Sequence, residues 1–124
     1  PHKGGKPLSE GEEPWETIAP SDIPFGNEWP RPLSMTRDIM DEVIRAHIEA
    51  VQRCERIGFV AIELHGAHGY LVSSFLSPIA NRREDEYGGD IINRMRYPLE
   101  LFTQMRAAWP DKKPMGNAVH IKGL

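Results

Sequence analysis

Two histidines and one tyrosine stand close together, directly after a short apolar segment of the chain. His65, His68 and Tyr70 follow residues 59–64, whose β-branched and aromatic side chains are typical of a buried strand. Imidazole and phenol groups form hydrogen bonds and exchange protons, and such groups are unusual in an apolar core. In α/β folds, ligands bind at the carboxyl ends of parallel strands. The pattern therefore predicts a functional site at the end of this strand.

His65 and His68 also resemble a zinc-binding pair, with two residues between them. A zinc site needs a third protein ligand, and the alternatives are Cys54, in a predicted helix, and His120, near the end of the chain. Neither lies at a usable spacing, so the sequence predicts no metal site. Glu63, inside the apolar segment, is expected either to support the site or to be solvated at a face of the sheet.

The first predicted helix precedes this strand. Residues 36–57 place apolar side chains at spacings of three and four, which is the period of an amphipathic helix. Thr36 or Ser34 can cap its start, and Gly58 ends it. His47 and Cys54 fall on the apolar side and are expected to have structural roles.

A second helix is predicted at residues 91–109, where Pro98 either kinks the helix or begins a new first turn. A final strand is predicted at 114–121, and residues 71–81 are predicted to be a loop with one helical turn. The side of the second helix that packs on the protein is expected to contain Met95, Leu99, Phe102, Met105 and Trp109.

Residues 1–34 contain seven of the eleven prolines, which predicts a long loop. Its interleaved apolar residues favour a loop that packs on the rest of the protein, and the alternative is a tail ordered only by contacts with other molecules. These residues are Trp15, Ile18, Ile23, Phe25 and Trp29.

Composition and element order limit the class of protein. A net charge of −3 gives no case for nucleic-acid binding, and no apolar run approaches the length that spans a membrane. A single cysteine favours the cytoplasm. Strand, helix and strand in succession predict a parallel sheet, of which this chain supplies at most two strands. We therefore expect the chain to be a piece of a larger protein, or to pair with another chain.

One long segment carries a family pattern. It begins with Ile62-Glu-Leu-His-Gly-Ala-His-Gly-Tyr-Leu71 and continues through Phe75-Leu-Ser-Pro78, Asn81-Arg-Arg83, Asp85-Glu-Tyr-Gly-Gly89 and Asn93-Arg94. These residues closely resemble the old yellow enzyme family of FMN-dependent oxidoreductases. Weaker agreement extends from about Pro14 to Gly116.

The resemblance implies an α/β fold in which the chain is a fragment of a TIM (β/α)8 barrel. The fragment would comprise the third helix, the fourth strand and helix, and the start of the fifth strand. Residues 1–34 would be a Pro-rich loop packed on the barrel, and residues 35–124 would be the βα segment. Arg82, Arg83 and Asp85 are expected to tie the 81–90 loop to the barrel.

The resemblance also implies an activity, in which NAD(P)H reduces FMN and the flavin passes a hydride to the β-carbon of an activated alkene such as an enone or nitro-alkene. It implies that Tyr70 supplies the proton to the α-carbon, and that His65 and His68 bind the substrate carbonyl or nitro oxygen. Two fixed donors at that oxygen stabilise the negative charge that hydride addition creates. The residues of this chain that bind the cofactor stay unassigned.

Two departures from the family pattern limit this interpretation. The family's flavin contacts come mostly from segments outside this chain, and Ala118 stands about where the family has a flavin-directed arginine. We therefore expect the chain alone to bind FMN weakly or not at all, and to associate through apolar surface around Phe59, Ile62 and Leu64. A non-catalytic remnant, or an interaction module of barrel origin, is the competing hypothesis.

Overall fold

The computed structural model describes residues 7–8 and 11–119, which contain four short strands and three helices. In chain order the elements are β1 (Ile18–Ala19), β2 (Leu33–Ser34), α1 (Arg37–Arg56), β3 (Ile62–Gly66), α2 (Leu71–Leu76), α3 (Ile91–Ala108) and β4 (Met115–Val119). Strands β1 and β2 form one parallel pair, and β3 and β4 form another. Two helices separate β3 from β4, so the parallel arrangement predicted from the element order is confirmed.

Helix α1 confirms the first predicted helix, with one residue fewer at each end. The side chain of Thr36, rather than that of Ser34, accepts the Ile39 N–H at 3.3 Å and caps the helix. Gly58 follows the last turn with a left-handed φ of 87°, which glycine adopts without steric cost. The helix buries Met40, Ile44 and Val51.

The two residues expected to be structural on α1 have that role. His47 Nδ1 donates to the carbonyl oxygen of Val43, one turn earlier, at 2.7 Å. Cys54 is half-buried and packs against the core. Both side chains therefore belong to the helix and its packing.

Strand β3 is shifted from its predicted position. The apolar segment 59–64 predicts a strand, but β3 begins at Ile62 and continues to Gly66. The Phe59 N–H donates to the Cys54 carbonyl at 3.0 Å, which holds this part of the backbone at the end of α1. Pairing with β4 begins only where Ile62 lies opposite Met115. Phe59 is therefore 51% exposed instead of lying in a buried strand.

Strand β4 confirms the final predicted strand within the described part of the chain. It occupies Met115–Val119, and residues 120–121 of the predicted range lie outside the described residues. His65 lies opposite Ala118 in the register, and Glu63 lies opposite Gly116. Residues paired in this way project on the same face of a parallel sheet.

The second half of the chain contains two helices. Helix α2 has six residues and takes the place of the predicted loop with a helical turn. Asp90 caps α3 by accepting the Asn93 N–H at 2.9 Å, and the helix continues through the buried Pro98 without a new start.

One residue predicted on the packed side of α3 is wrongly placed. Leu99 is 54% exposed, whereas Leu101 is fully buried. The buried face of α3 contains Arg94, and Leu99 lies five residues further on, about 140° around the helix axis. The prediction failed because the packed face follows Tyr97, Leu101 and Met105 at spacings of four, and Leu99 lies outside this stripe.

The core lies between the β3–β4 sheet and the helices behind it. Helix α3 packs against both α1 and α2, and α2 also packs against β3. The rings of Phe75 and Tyr97, both fully buried, lie 4.5 Å apart between their centroids. Trp109 closes the end of α3, and its indole N–H donates to the Pro114 carbonyl at 3.1 Å.

The apolar surface predicted around Phe59, Ile62 and Leu64 is only partly present. Leu64 is 5% exposed and belongs to the core, and Ile62 is half-buried against it. Both side chains point towards the helices because alternate residues of a strand face the same side. Only Phe59 of the three stays largely exposed, so the prediction was wrong for Leu64.

The described part of the N-terminal region, residues 7–8 and 11–34, is not entirely loop. It contains the two-residue strands β1 and β2, and Ile18 packs against the core. Trp15 and Phe25 are exposed, so they do not pack on the rest of the protein as predicted. Phe25 instead contacts Trp29, with ring centroids 5.1 Å apart.

The 81–90 loop was predicted to be tied to the barrel by Arg82, Arg83 and Asp85; the structure ties it through Arg82 and Arg83 to the N-terminal region and the start of α1, whereas Asp85 bonds to Arg83 and Tyr87 within the loop. The Arg82 N–H donates to Ser21 Oγ at 2.9 Å. The Arg83 guanidinium donates to the carbonyl oxygens of Pro20 and Met35, at 2.9 and 2.7 Å. These bonds join segments that are some 50 to 60 residues apart in the chain.

Candidate active site

Strand β3 presents its polar residues on the face opposite to the helices. Leu64 and Gly66 are buried, whereas Glu63 and His65 are exposed. This alternation follows from the pleat of the strand, because the apolar residues occupy the helix side. His65 is therefore held by the β3–β4 ladder with its imidazole on the open face.

The chain turns sharply after β3. His68 has a φ of 58° and Gly69 a φ of 77°, two successive left-handed residues. Glycine adopts this conformation freely, but a histidine there is uncommon and carries strain. The Tyr70 N–H donates to the Ala67 carbonyl at 3.2 Å and closes the turn. The turn brings the His68 ring back to that of His65.

The three predicted site residues lie together. His68 Nδ1 and His65 Nε2 are 3.3 Å apart, and the two ring centroids are separated by 5.1 Å. The Tyr70 ring centroid lies 5.4 Å from that of His65, and Tyr70 is 63% exposed. Two imidazoles and a phenol therefore share one solvent-accessible space at the carboxyl end of β3.

Shifted pKa values occur in the helical part of the molecule and in the 81–90 loop. Burial raises the pKa of Tyr97, and burial followed by the nearby negative charge of Glu100 raises the pKa of Tyr87. Hydrogen bonds from Arg83 lower the pKa of Asp85. These shifts result from burial and ion pairing in the packed part of the protein.

Two buried polar residues near α2 were given no role by the sequence. Asn81 is 3% exposed and Arg94 is 9% exposed, and both donate to carbonyl oxygens at the end of α2. Their types appear in the family pattern, but a sequence does not show that a polar side chain is buried. The available signal in the sequence was the presence of an asparagine and an arginine near the two ends of the 81–90 loop.

The exposed face of the β3–β4 pair offers little to hold a flavin. Glu63 and His65 share this face with Gly116 and Ala118. None of the four has the guanidinium or ammonium group that commonly binds a phosphate. A Cβ added to Gly116 would meet Glu63 Oε2 at 3.6 Å, an ordinary contact, so the glycine is not required by a close approach. These residues do not form a flavin site by themselves.

The described residues, 7–8 and 11–119, contain neither a metal cluster nor a membrane-spanning helix. No three or more histidine, cysteine, aspartate or glutamate side chains in this part come together as a metal site would require. His120, a zinc ligand considered in the sequence, lies outside these residues. No helix there combines the length and the apolar character needed to cross a membrane.

Comparison with known proteins identifies the family. A sequence model of the NADH:flavin oxidoreductase / NADH oxidase family matches residues 2–112. The chain belongs to this family. It is 43% identical to an NADPH dehydrogenase of Clostridium acetobutylicum over 114 residues, which are 92% of this chain and 33% of that enzyme. It is also 43% identical to an NADPH dehydrogenase of Geobacillus thermodenitrificans, covering 87% of this chain and 31% of the relative.

Solved structures of the family have the same fold over this segment. A morphinone reductase in complex with tetrahydroNAD superimposes with a TM-score of 0.78 at 27% identity, covering 85% of this chain and 33% of that one. A 2-naphthoyl-CoA reductase complex superimposes with a TM-score of 0.76 at 29% identity, covering 82% and 16%. The chain thus spans about a third of the curated relatives that it matches.

These comparisons confirm the resemblance to old yellow enzymes and the α/β class of the chain. The described residues form a segment of the family's TIM-barrel fold, and they contain no closed barrel. The expected cofactors, FMN and NAD(P)H, are those of the family and its relatives. The comparisons assign no role to His65, His68 or Tyr70.

Proposed function

We propose that the full-length protein containing this chain is an FMN-dependent NAD(P)H oxidoreductase that reduces activated alkenes, such as enones and nitro-alkenes. The observation that carries the proposal is the convergence of His65, His68 and Tyr70 at the carboxyl end of β3. Membership of the family supports the flavin and nicotinamide chemistry. Because the chain spans about a third of its relatives, the activity is proposed for the whole protein.

His65 and His68 would stabilise negative charge on the substrate oxygen. At 3.3 Å their mutual hydrogen bond is long for an N–H donor. A carbonyl or nitro oxygen seated between the rings would replace this one bond by an N–H donor from each imidazole. Donors already in place stabilise charge that develops during the reaction, because they need no reorganisation at that moment.

Tyr70 would supply the proton that completes the reduction. When bound to the full-length protein and reduced by NAD(P)H, FMN would supply a hydride to the β-carbon of the alkene. The π electrons then lie on the α-carbon and the activating oxygen. The Tyr70 O–H bond breaks as a C–H bond forms at the α-carbon, and the tyrosinate then regains a proton from solvent.

The proposal includes the place of this segment in the barrel. In it, α1 is the third helix, β3 the fourth strand, α2 and α3 the fourth helical connection, and β4 the start of the fifth strand. The Pro-rich region 1–34 would pack on the barrel through its two short strands and Ile18, and residues 35–124 would form the βα segment. The bonds from Arg82 and Arg83 to the N-terminal region support this division.

The proposal also covers the cofactor, the partner and the location of the full-length protein. FMN is held mainly by parts of the full-length protein outside this chain, and weak or absent FMN binding by the chain alone stays a prediction. The partner is a small-molecule substrate in the cytoplasm, a location supported by the lone cysteine. For the 124-residue chain by itself, association of copies through the edges of the β3–β4 pair is also proposed.

The substitution Tyr70→Phe in the full-length protein tests the proposal. It keeps the ring and removes only the hydroxyl group. We expect reduction of weakly activated enones by the reduced enzyme to slow by roughly 10²–10⁴-fold, the usual contribution of a general acid. Flavin reduction by NADPH should stay near normal, because that step needs no proton from Tyr70. Stopped-flow absorbance of the flavin measures the two half-reactions separately.

Tyr87→Phe is the matched control, since it removes a hydroxyl group that bonds to Arg37 and Glu100 in the packed part of the protein. We expect both half-reactions of this control to be nearly unchanged. An equal loss in both half-reactions of the Tyr70 variant would show that Tyr70 has another role.

A further inference from the structure

Helix α2 carries Tyr70 at one end and is held by side chains at the other. Tyr70 is its N-cap residue. At the opposite end, Asn81 Nδ2 donates to the Phe75 carbonyl at 2.8 Å, and Arg94 Nε donates to the Leu76 carbonyl at 2.8 Å. Neither Asn81 nor Arg94 belongs to α2, so both join it to other parts of the chain.

The side-chain amide of Asn81 can satisfy its hydrogen-bond partners in only one orientation. It also donates through Nδ2 to the Tyr87 carbonyl at 2.8 Å, and its Oδ1 accepts the Arg83 N–H at 3.1 Å. The residue is 3% exposed, so rotating the amide would leave buried polar groups without partners. Asn81 therefore fixes the end of α2 against the 81–90 loop.

Arg94 fixes the same end of α2 against α3. It lies in the first turns of α3, and its Nη1 donates to the Gly89 carbonyl while Nε serves Leu76. The guanidinium is planar and rigid, so two carbonyl oxygens held by one fork are fixed relative to each other. The side chain is buried, which makes the loss of either bond costly.

Helix α2 depends on this clamp because it is short. Helices much shorter than about 12 residues are marginal in water, and their last carbonyls lack partners within the helix. The six residues of α2 are stabilised by the clamp and by packing of Val72 and Phe75 in the core. At about 1.5 Å per residue the helix is only ~9 Å long, so a shift at the clamp reaches Tyr70.

His65 is positioned by a different element. It belongs to β3 and lies opposite Ala118 in the ladder with β4. A loosened clamp should therefore displace Tyr70 relative to His65 and leave the imidazole of His65 in place. The distance that matters is that between the Tyr70 hydroxyl and the α-carbon of a substrate held by His65.

We propose that Asn81 and Arg94 are positioning residues that hold the Tyr70 hydroxyl in line for proton transfer, acting through α2. This inference rests on the proposed function of Tyr70. Both residues act on the proton-transfer step and have no contact of their own with the substrate.

A double-mutant cycle in the full-length protein tests the inference, with wild type, Arg94→Lys, Tyr70→Phe and the double variant. Lysine keeps the positive charge but lacks the planar guanidinium that donates to two carbonyl oxygens at once. We expect Arg94→Lys to slow enone reduction by roughly tenfold to a hundredfold, as misplacement by about 1 Å can do. In the Tyr70→Phe background it should cause no further slowing. Affinity for a phenol should fall less than enone reduction does, because His65, one of the two proposed donors to its oxygen, stays in the β3–β4 ladder.

Two further variants complete the experiment. Arg96→Lys is the matched control, since Arg96 is exposed on the same helix and donates to Glu86 and Asn93 instead of α2; it should change the rates by less than about twofold. Asn81→Leu keeps the approximate size without introducing a charge and removes both donors, and it should repeat the pattern of Arg94→Lys. This variant provides an independent test of the clamp if Arg94→Lys folds poorly.

The outcomes separate the two hypotheses. Slowing by Arg94→Lys that is equally large without the Tyr70 hydroxyl would mean a general structural effect and overturn the inference. Unchanged enone reduction in both clamp variants, with Tyr70→Phe slow, would overturn it and leave the proposed function intact. If Tyr70→Phe itself had no effect on enone reduction, the proposed role of Tyr70 would be wrong, and the inference would fall with it.

Discussion

The two faces of the β3–β4 pair differ in what covers them. On one face, Leu64 is buried against helices whose central side chains, such as Tyr97 and Leu101, are fully enclosed. On the other face, Glu63 and His65 are exposed. Stabilising contacts and candidate chemistry thus lie on opposite sides of the same two strands. Substitutions on one side should therefore change stability, and those on the other side should change binding.

The covered side also contains a polar network at its edge. Arg37 donates to Glu100 at 2.8 Å and to the Tyr87 hydroxyl, and it forms an ion pair with Asp41 at 2.7 Å. Hydrogen bonds to Asp41 and then to Glu100 raise the pKa of Arg37. The network connects α1, α3 and the 81–90 loop, so this side is fixed by charge as well as by apolar packing. The open side has no comparable network among the described residues.

The largest effect is expected from a core substitution on the covered side. Leu101→Ala should lower the free energy of unfolding by roughly 2–5 kcal/mol, because it leaves a cavity where the side chain is fully enclosed. Leu99→Ala, the same change on the same helix at a 54% exposed position, should cost less than about 1 kcal/mol. Urea denaturation of the purified protein measures both. Similar losses for the two variants would show that the packed face of α3 is misassigned.

A smaller effect, of a different kind, is expected on the open side. His65→Ala should weaken binding of a phenol or an enone to the full-length protein by roughly 1–3 kcal/mol through the loss of a hydrogen-bond donor. In the 124-residue chain, where His65 is exposed, the same substitution should change the free energy of unfolding by less than about 0.5 kcal/mol.

His47→Ala is the matched control for this substitution. It removes a half-buried imidazole that bonds to the Val43 carbonyl, so it should cost about 1 kcal/mol of stability and leave phenol binding unchanged. Ligand titration and denaturation of the two variants should give opposite patterns. Unchanged phenol affinity in His65→Ala would count against the role of His65 at the substrate oxygen.

The smallest effect concerns pH. The Arg83 guanidinium accounts for most of the lowered pKa of Asp85, from an ordinary value of 3.8. A pKa that is lower in the folded state stabilises the protein above the unfolded-state value, and this contribution is lost as the pH falls through the folded-state value. Asp85→Asn should therefore lose less thermal stability than wild type when the pH falls from about 5 to about 2. The difference should be modest, because the carboxylate is half-exposed. Parallel losses in calorimetry would mean that the ion pair contributes nothing.

Local signals in the sequence were sufficient for much of this molecule. Thr36 and Gly58 delimit α1 because caps act on the adjacent few backbone groups. The closeness of His65, His68 and Tyr70 was also predicted, since the three residues lie within six positions at the end of a strand and the two glycines among them permit a turn. The family pattern in residues 62–94 added the chemistry that these residues would perform.

Only the tertiary structure decided which groups become buried. The start of β3 at Ile62 depends on pairing with Met115, which is more than fifty residues away in the sequence. The exposure of Leu99 and the burial of Arg94 depend on which face of α3 meets α2. A strand boundary or a buried polar side chain requires a partner from a distant segment, and residue types alone do not specify that partner. The sequence therefore determined the local elements and the site, and the fold determined what holds them in place.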